Sequence, residues 1–248
     1  MESLETDSNH LPGPVLVRDQ EKRPLLEHLE ELRRRLLRSF LWIGIATAVS
    51  LRYSEPILRR LVQPVGRVVF LSPAEPFLVH LKVAFLSGIL LSLPLLFWEI
   101  WKFFTPAFLP SERKPILLLV LLSVALFSLG AAFSWVVLLP TALKFLMGFG
   151  SDILSPMVTV ASYVSFAGWL ILAGGLVFQM PMVVLLLAKL QVIHPWSLLR
   201  HWRIALVAIL VAAAVLTPTP DVITQLLLAV PMAVLYLISI GLAALVTR

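Results

Sequence analysis

The chain has 248 residues, 59% of them apolar and 14% charged, with a mean hydropathy of +0.95. Soluble domains run at about half apolar and about a quarter charged, so a single soluble core could not hide this much apolar surface. The 20 Lys+Arg against 14 Asp+Glu give +6; they flank long uncharged runs, which points to a membrane rather than nucleic acid, and the absence of cysteine excludes disulfides, thiolate metal sites and cysteine nucleophiles.

Residues 1–24 read as a polar, flexible tail, with Pro12-Gly13-Pro14 and without the apolar stretch of a cleavable signal. Residues 25–248 read as a single membrane domain. At its start Leu25, Leu29, Leu32 and Leu36 fall on one helical stripe, while Glu30/Arg34 and Glu31/Arg35 are i,i+4 pairs in the favourable order. This is an amphipathic helix suited to anionic lipid, which its arginines explain. Lipid does not explain Glu27, Glu30 and Glu31. Carboxylates on a basic face suit a positive partner, and a guanidinium would pair with them bidentately. Glu112, in Pro110-Ser111-Glu112-Arg113-Lys114-Pro115, is a further candidate.

Six apolar segments follow, at 36–51, 83–101, 116–139, 166–188, 204–216 and 222–246. Those at 36–51 and 204–216 fall short of the ~20 residues that a ~30 Å hydrocarbon core requires. The last two flank Thr217-Pro218-Thr219-Pro220-Asp221, where two prolines forbid continuous helix and impose a tight turn. Pro94, Pro140, Pro181 and Pro231 lie within or at the ends of spans and favour kinks. The expected fold is therefore an all-α membrane protein: six transmembrane helices in a curved, proline-kinked bundle, two of them short, without internal repeat.

An even number of spans places both termini on one side. That side carries Arg18, Lys22, Arg23, Arg33, Arg34, Arg35, Arg38, Lys102, Arg113, Lys114, Lys189, Arg200, Arg203 and Arg248. The other side has Arg52, Arg59, Arg60, Arg67, Lys82 and Lys144. The imbalance predicts cytoplasmic termini in a multi-pass membrane protein. The long loops 52–82 and 140–165 then lie outside, and the amphipathic stretch Pro56–Val62 is expected to cap the bundle as an interfacial helix.

No Gly-rich phosphate loop, His-Glu-x-x-His or Gly-x-Ser-x-Gly is present, and His10, His28, His80, His194 and His201 lie outside the span centres. The chain is not expected to be an enzyme or to hold a metal or cofactor. Within the spans only Arg38 and Glu99 are charged; the plainer reading of Glu99 is an interfacial carboxylate paired with Lys102. Gln179, beside Pro181, serves equally as helix–helix glue or as a polar lining. Spans without a mid-membrane carboxylate count against an ion-coupled carrier. A small-solute permease or channel is the alternative function, and a passive scaffold a third.

These segments, in this order, resemble the TatC family, the receptor subunit of the twin-arginine protein translocase. The matching pieces are His28-Leu29-Glu30-Glu31-Leu32-Arg33-Arg34-Arg35-Leu36, Glu75-Pro76-Phe77, Trp101-Lys102-Phe103-Phe104-Thr105-Pro106-Ala107 with Glu112-Arg113, Ser162-Tyr163-Val164-Ser165-Phe166, Phe178-Gln179-Met180-Pro181, and Leu216-Thr217-Pro218 through Asp221 to Gln225 and Pro231. The resemblance implies binding of twin-arginine signal peptides of folded cargo at the cytoplasmic face. It also implies an oligomeric receptor complex with single-span TatA- and TatB-type subunits, driven by the proton motive force. By motif, Glu31, Arg33, Phe103, Glu112 and Arg113 would form the signal-peptide site, Pro64 and Phe77 the outer cap, and Gln225 and Asp221 a partner contact. Gln179 stands where the family usually has glutamate, and the turn at 217–221 is one residue longer than its usual Thr-Pro-Pro-Asp.

Overall fold

The computed structural model describes residues 15–66, 68–105, 116–148, 157–218 and 221–246. They form helices α1 (Val15–Leu51), α2 (Ser54–Val62), α3 (Glu75–Phe104), α4 (Ile116–Phe133), α5 (Leu139–Met147), α6 (Val160–Val177), α7 (Met180–Lys189), α8 (Pro195–Arg200), α9 (Trp202–Leu216) and α10 (Val222–Val246). A π turn, Ser134–Leu138, joins α4 to α5 into one continuous rod. Among the described residues, four rods are long and apolar enough to cross a membrane: Glu75–Phe104, Ile116–Met147, Val160–Lys189 and Val222–Leu245. Helix α9 is apolar but shorter, and α1 is apolar only beyond Arg38. The all-α membrane architecture expected from the sequence is thus present, with three of the four rods longer than the apolar runs marked. Helical hydrogen bonding continues past the last apolar residue into the polar ends.

The prolines behave in two ways. Helices α3 and α10 run through Pro94 and Pro231. At Pro140 and Pro181 the rod changes instead. Each begins a new helix, the first after the π turn and the second after an interruption at Phe178-Gln179. A proline supplies no N–H to the preceding turn, and these two sites absorb the loss by local rewinding.

Helices α6 and α7 form the centre: 61% of their most apolar window is buried, against 22% to 39% in the other three rods. The main core gathers Val160, Tyr163, Val164, Ala167 and Leu170 of α6 with Val79 and Val83 of α3, Leu138 of the π turn, Leu139 of α5, and Leu228, Met232 and Leu235 of α10. Trp101, Val120 and Met182 form a smaller core among α3, α4 and α7. Helix α1 lies outside this bundle, packed along α3. Gly88 permits that approach, since a Cβ there would sit 2.7 Å from the Thr47 Cα. Gly174 does the same for α6 against α4, where a Cβ would collide with Ser134 Oγ.

The two ends of the bundle differ in character. At one end α1 presents Arg33–Arg38 beside the last turn of α3; we call this the basic end. At the other, the cap end, α2 and the segment 68–74 cover the starts of α3 and α6.

Candidate functional site

At the basic end, the i,i+4 spacing in α1 produces the expected ion pairs. Arg34 Nη2 lies 3.6 Å from Glu30 Oε1, with both side chains well exposed. Arg35 donates from Nε and Nη2 to Glu31 Oε1, at 3.0 and 2.5 Å. Its Nη1 also crosses to α3 and donates to Glu99 Oε2 at 3.0 Å. This corrects the pairing expected from sequence: the partner of Glu99 is Arg35, not Lys102. Lys102 is close along the helix but faces outward, whereas Glu99 points into the α1–α3 seam and is only 9% exposed. There it requires a cation from the neighbouring helix, because a buried unpaired carboxylate is strongly disfavoured.

Aromatic side chains border this trio. The His28 ring stacks on Phe103 with centroids 4.4 Å apart, and Phe104 meets Phe103 edge-on. His28 Nδ1 lies 3.9 Å from Glu31 Oε2. A pocket of about 360 Å³, lined by Glu30, Glu31, Arg34, Arg35 and Arg38, opens beside them. The structure therefore brings Glu31 and Phe103 together through His28. Arg33 is exposed on another face of α1, and Glu112 and Arg113 lie outside the described residues. Leu29, Leu32 and Leu36 form the expected apolar stripe, and all three are exposed on the chain alone.

Gln179 is buried at the interruption between α6 and α7, and its Nε2 donates to the Ser123 carbonyl of α4 at 2.9 Å. Ser123 Oγ in turn accepts from Trp101 Nε1 of α3 at 2.9 Å. Of the two roles open to Gln179, this geometry gives the joint between helices.

The cap end is held by side chains that grip backbone. Glu75, at the first position of α3, accepts from the Leu71 N–H at 2.8 Å and from the Ala161 N–H at 3.0 Å. Val69 pairs with Thr159 in a single parallel bridge, its N–H donating to Val158 and its carbonyl accepting from Val160. The Tyr163 hydroxyl donates to the Leu61 carbonyl at 2.6 Å, fixing α2 over α6. Helix α2 thus caps the bundle where the amphipathic stretch predicted it. Pro64 is exposed in the turn after α2, and Phe77 is 71% exposed. Sequence reasoning matched Glu75 only as part of a motif and missed its clamp; an acid followed by proline at a helix start was the available signal.

In the final hairpin Asp221 Oδ2 accepts from the Thr224 N–H at 2.7 Å, an N-cap for α10. Thr217 Oγ1 closes α9 on the Ala213 carbonyl at 2.9 Å, and Trp169 Nε1 donates to the Leu216 carbonyl at 2.7 Å. Gln225 Nε2 bonds the Leu210 carbonyl at 3.0 Å, linking α10 to α9. Asp221 and Gln225 therefore belong to one turn, with the apolar side chains Val222, Ile223 and Leu226 exposed beside them.

Among the described residues no group of His, Cys, Asp or Glu is placed to hold a metal. Long apolar rods, a polar clamp at one end and an ion trio at the other define a multi-pass helical membrane protein. The comparisons narrow this further. A family model described as Sec-independent protein translocase protein (TatC) matches residues 27–231. The Sec-independent protein translocase protein TatC of Carboxydothermus hydrogenoformans is 41% identical over 223 residues, covering 88% of this chain and 92% of the relative. That of Aquifex aeolicus is 36% identical, covering 91% and 96%. A crystal structure described as the twin arginine translocase receptor TatC superposes with a TM-score of 0.77 at 35% identity, covering 89% of this chain and all of that one. The chain belongs to the TatC family, a protein translocase component and not an enzyme.

Proposed function

We propose that this chain is the signal-peptide receptor of a twin-arginine export system. Glu31 carries the reading. It lies at the basic end with one carboxylate oxygen already engaged by a guanidinium, beside the aromatic pair His28–Phe103. Glu112, Arg113 and Arg33 complete the site by family motif. In this reading residues 25–248 form one membrane domain with six crossings, in the bacterial cytoplasmic membrane. The basic end faces the cytoplasm together with both termini, and Pro64 and Phe77 belong to the outer cap. Folded cargo presents its twin-arginine signal to the basic end. Single-span TatA- and TatB-type subunits dock along the hairpin at Asp221 and Gln225, the receptor works as an oligomer, and the proton motive force drives transport. The relative described as a twin arginine translocase receptor supports this assignment.

Charge reversal tests it. Glu31→Lys combined with Glu112→Lys is expected to stop export of a twin-arginine reporter while the protein remains in the membrane at normal abundance. Undiminished export would remove both residues from the site.

A further inference from the structure

Arg35 is shared between two carboxylates on different helices. Its guanidinium serves Glu31 from α1 and Glu99 from α3 at once, so the trio is one positive charge short of balance. The inner pair is largely withdrawn from solvent, at 13% and 11% exposure for the Arg35 and Glu99 side chains, while Glu31 remains at 34%. Glu99 is fixed in the α3 seam and must keep a cation. Arg35, by contrast, extends from a helix packed mainly on one neighbour and borders an open pocket that Glu30, Arg34 and Arg38 also line.

A guanidinium arriving from outside would meet acceptors already arranged for a guanidinium. Exchange of one such group for another keeps both carboxylates paired, and a planar five-donor fork can bridge acceptors on two helices. A lysine ammonium is a compact point charge and bridges them less well. The stacked His28 and Phe103 rings supply a flat wall beside Glu31 on which a second guanidinium can lie.

We infer that Glu99 is the second carboxylate of the guanidinium seat, and that Arg35 is its resident occupant, a stand-in which an arginine of the signal peptide displaces. Glu99 is thereby a specificity-determining residue, and Arg35 an autoinhibitory one. The inference rests on the receptor reading above.

The test uses the full-length chain in lipid nanodiscs and two fluorescent synthetic signal peptides, one with Arg-Arg and one with Lys-Lys at the paired position. Arg35→Lys keeps the charge but competes less well, so it should bind the Arg-Arg peptide about five- to tenfold more tightly than the wild type. Glu99→Gln should bind it about tenfold more weakly. Both changes should move Lys-Lys binding in the same direction but by a smaller factor than Arg-Arg binding, and the double variant should lose the gain. Unchanged or weaker Arg-Arg binding by folded Arg35→Lys overturns the inference, as does unchanged binding by Glu99→Gln; the latter decides alone if Arg35→Lys does not fold. A wild-type chain that does not distinguish the two peptides overturns the receptor reading and this inference with it.

Discussion

The basic end and the cap end are both held by polar side chains, but they hold different things. At the cap end Glu75 and Tyr163 bond to main-chain groups of Leu71, Ala161 and Leu61. Such partners cannot be exchanged by a ligand, because they belong to the chain path itself. At the basic end the side chains of Arg35, Glu31 and Glu99 bond to one another. Those contacts can be remade by any group of the same chemistry. The cap end is therefore held from side chain to backbone, and the basic end from side chain to side chain.

The sharpest way to break this comparison is Arg35→Ala. It strips a buried carboxylate of its cation and should destabilise the fold by about 3–5 kcal/mol, read as a fall in the midpoint of thermal unfolding in detergent. If stability is unchanged, the trio is not buried as described. A smaller but clear effect is expected from Glu75→Gln, which weakens both clamped N–H contacts. The melting temperature should fall, and protease should cut the 63–74 segment faster than in the wild type. Tyr163→Phe removes one hydroxyl bond and should cost about 1 kcal/mol, without altering the trio at the far end. The smallest effect belongs to Glu30→Gln. Its exposed i,i+4 pair with Arg34 is worth about 0.3–0.5 kcal/mol at low salt and should be undetectable in the melt at high salt.

Local rules made part of this legible in the sequence. Apolar runs located the rods, and i,i+4 spacing identified Glu31–Arg35 and Glu30–Arg34, because neighbours on one helix are fixed by helical geometry. The amphipathic stretch at 56–62 likewise found α2. What escaped were contacts set by how helices meet. Glu99 has a cation three positions away in Lys102, yet it bonds across sixty-four positions to Arg35. The Glu75 clamp on Ala161 and the Val69–Thr159 bridge are single contacts between distant segments, too short to leave a period in the sequence. Gln179 showed itself as a polar residue in an apolar run, but only the placement of Ser123 decided what it does.

The bridge between Val69 and Thr159, with the Glu75 clamp beside it, also sets an order of assembly. The first cap segment leaves the ribosome well before its partners at 158–161, and translation runs at roughly 5–20 residues per second. Until α6 arrives, Val69 lacks the main-chain groups it bonds in the finished protein, and Glu75 has only the nearby Leu71 N–H. The cap can thus be completed only after residues 158–163 have been made.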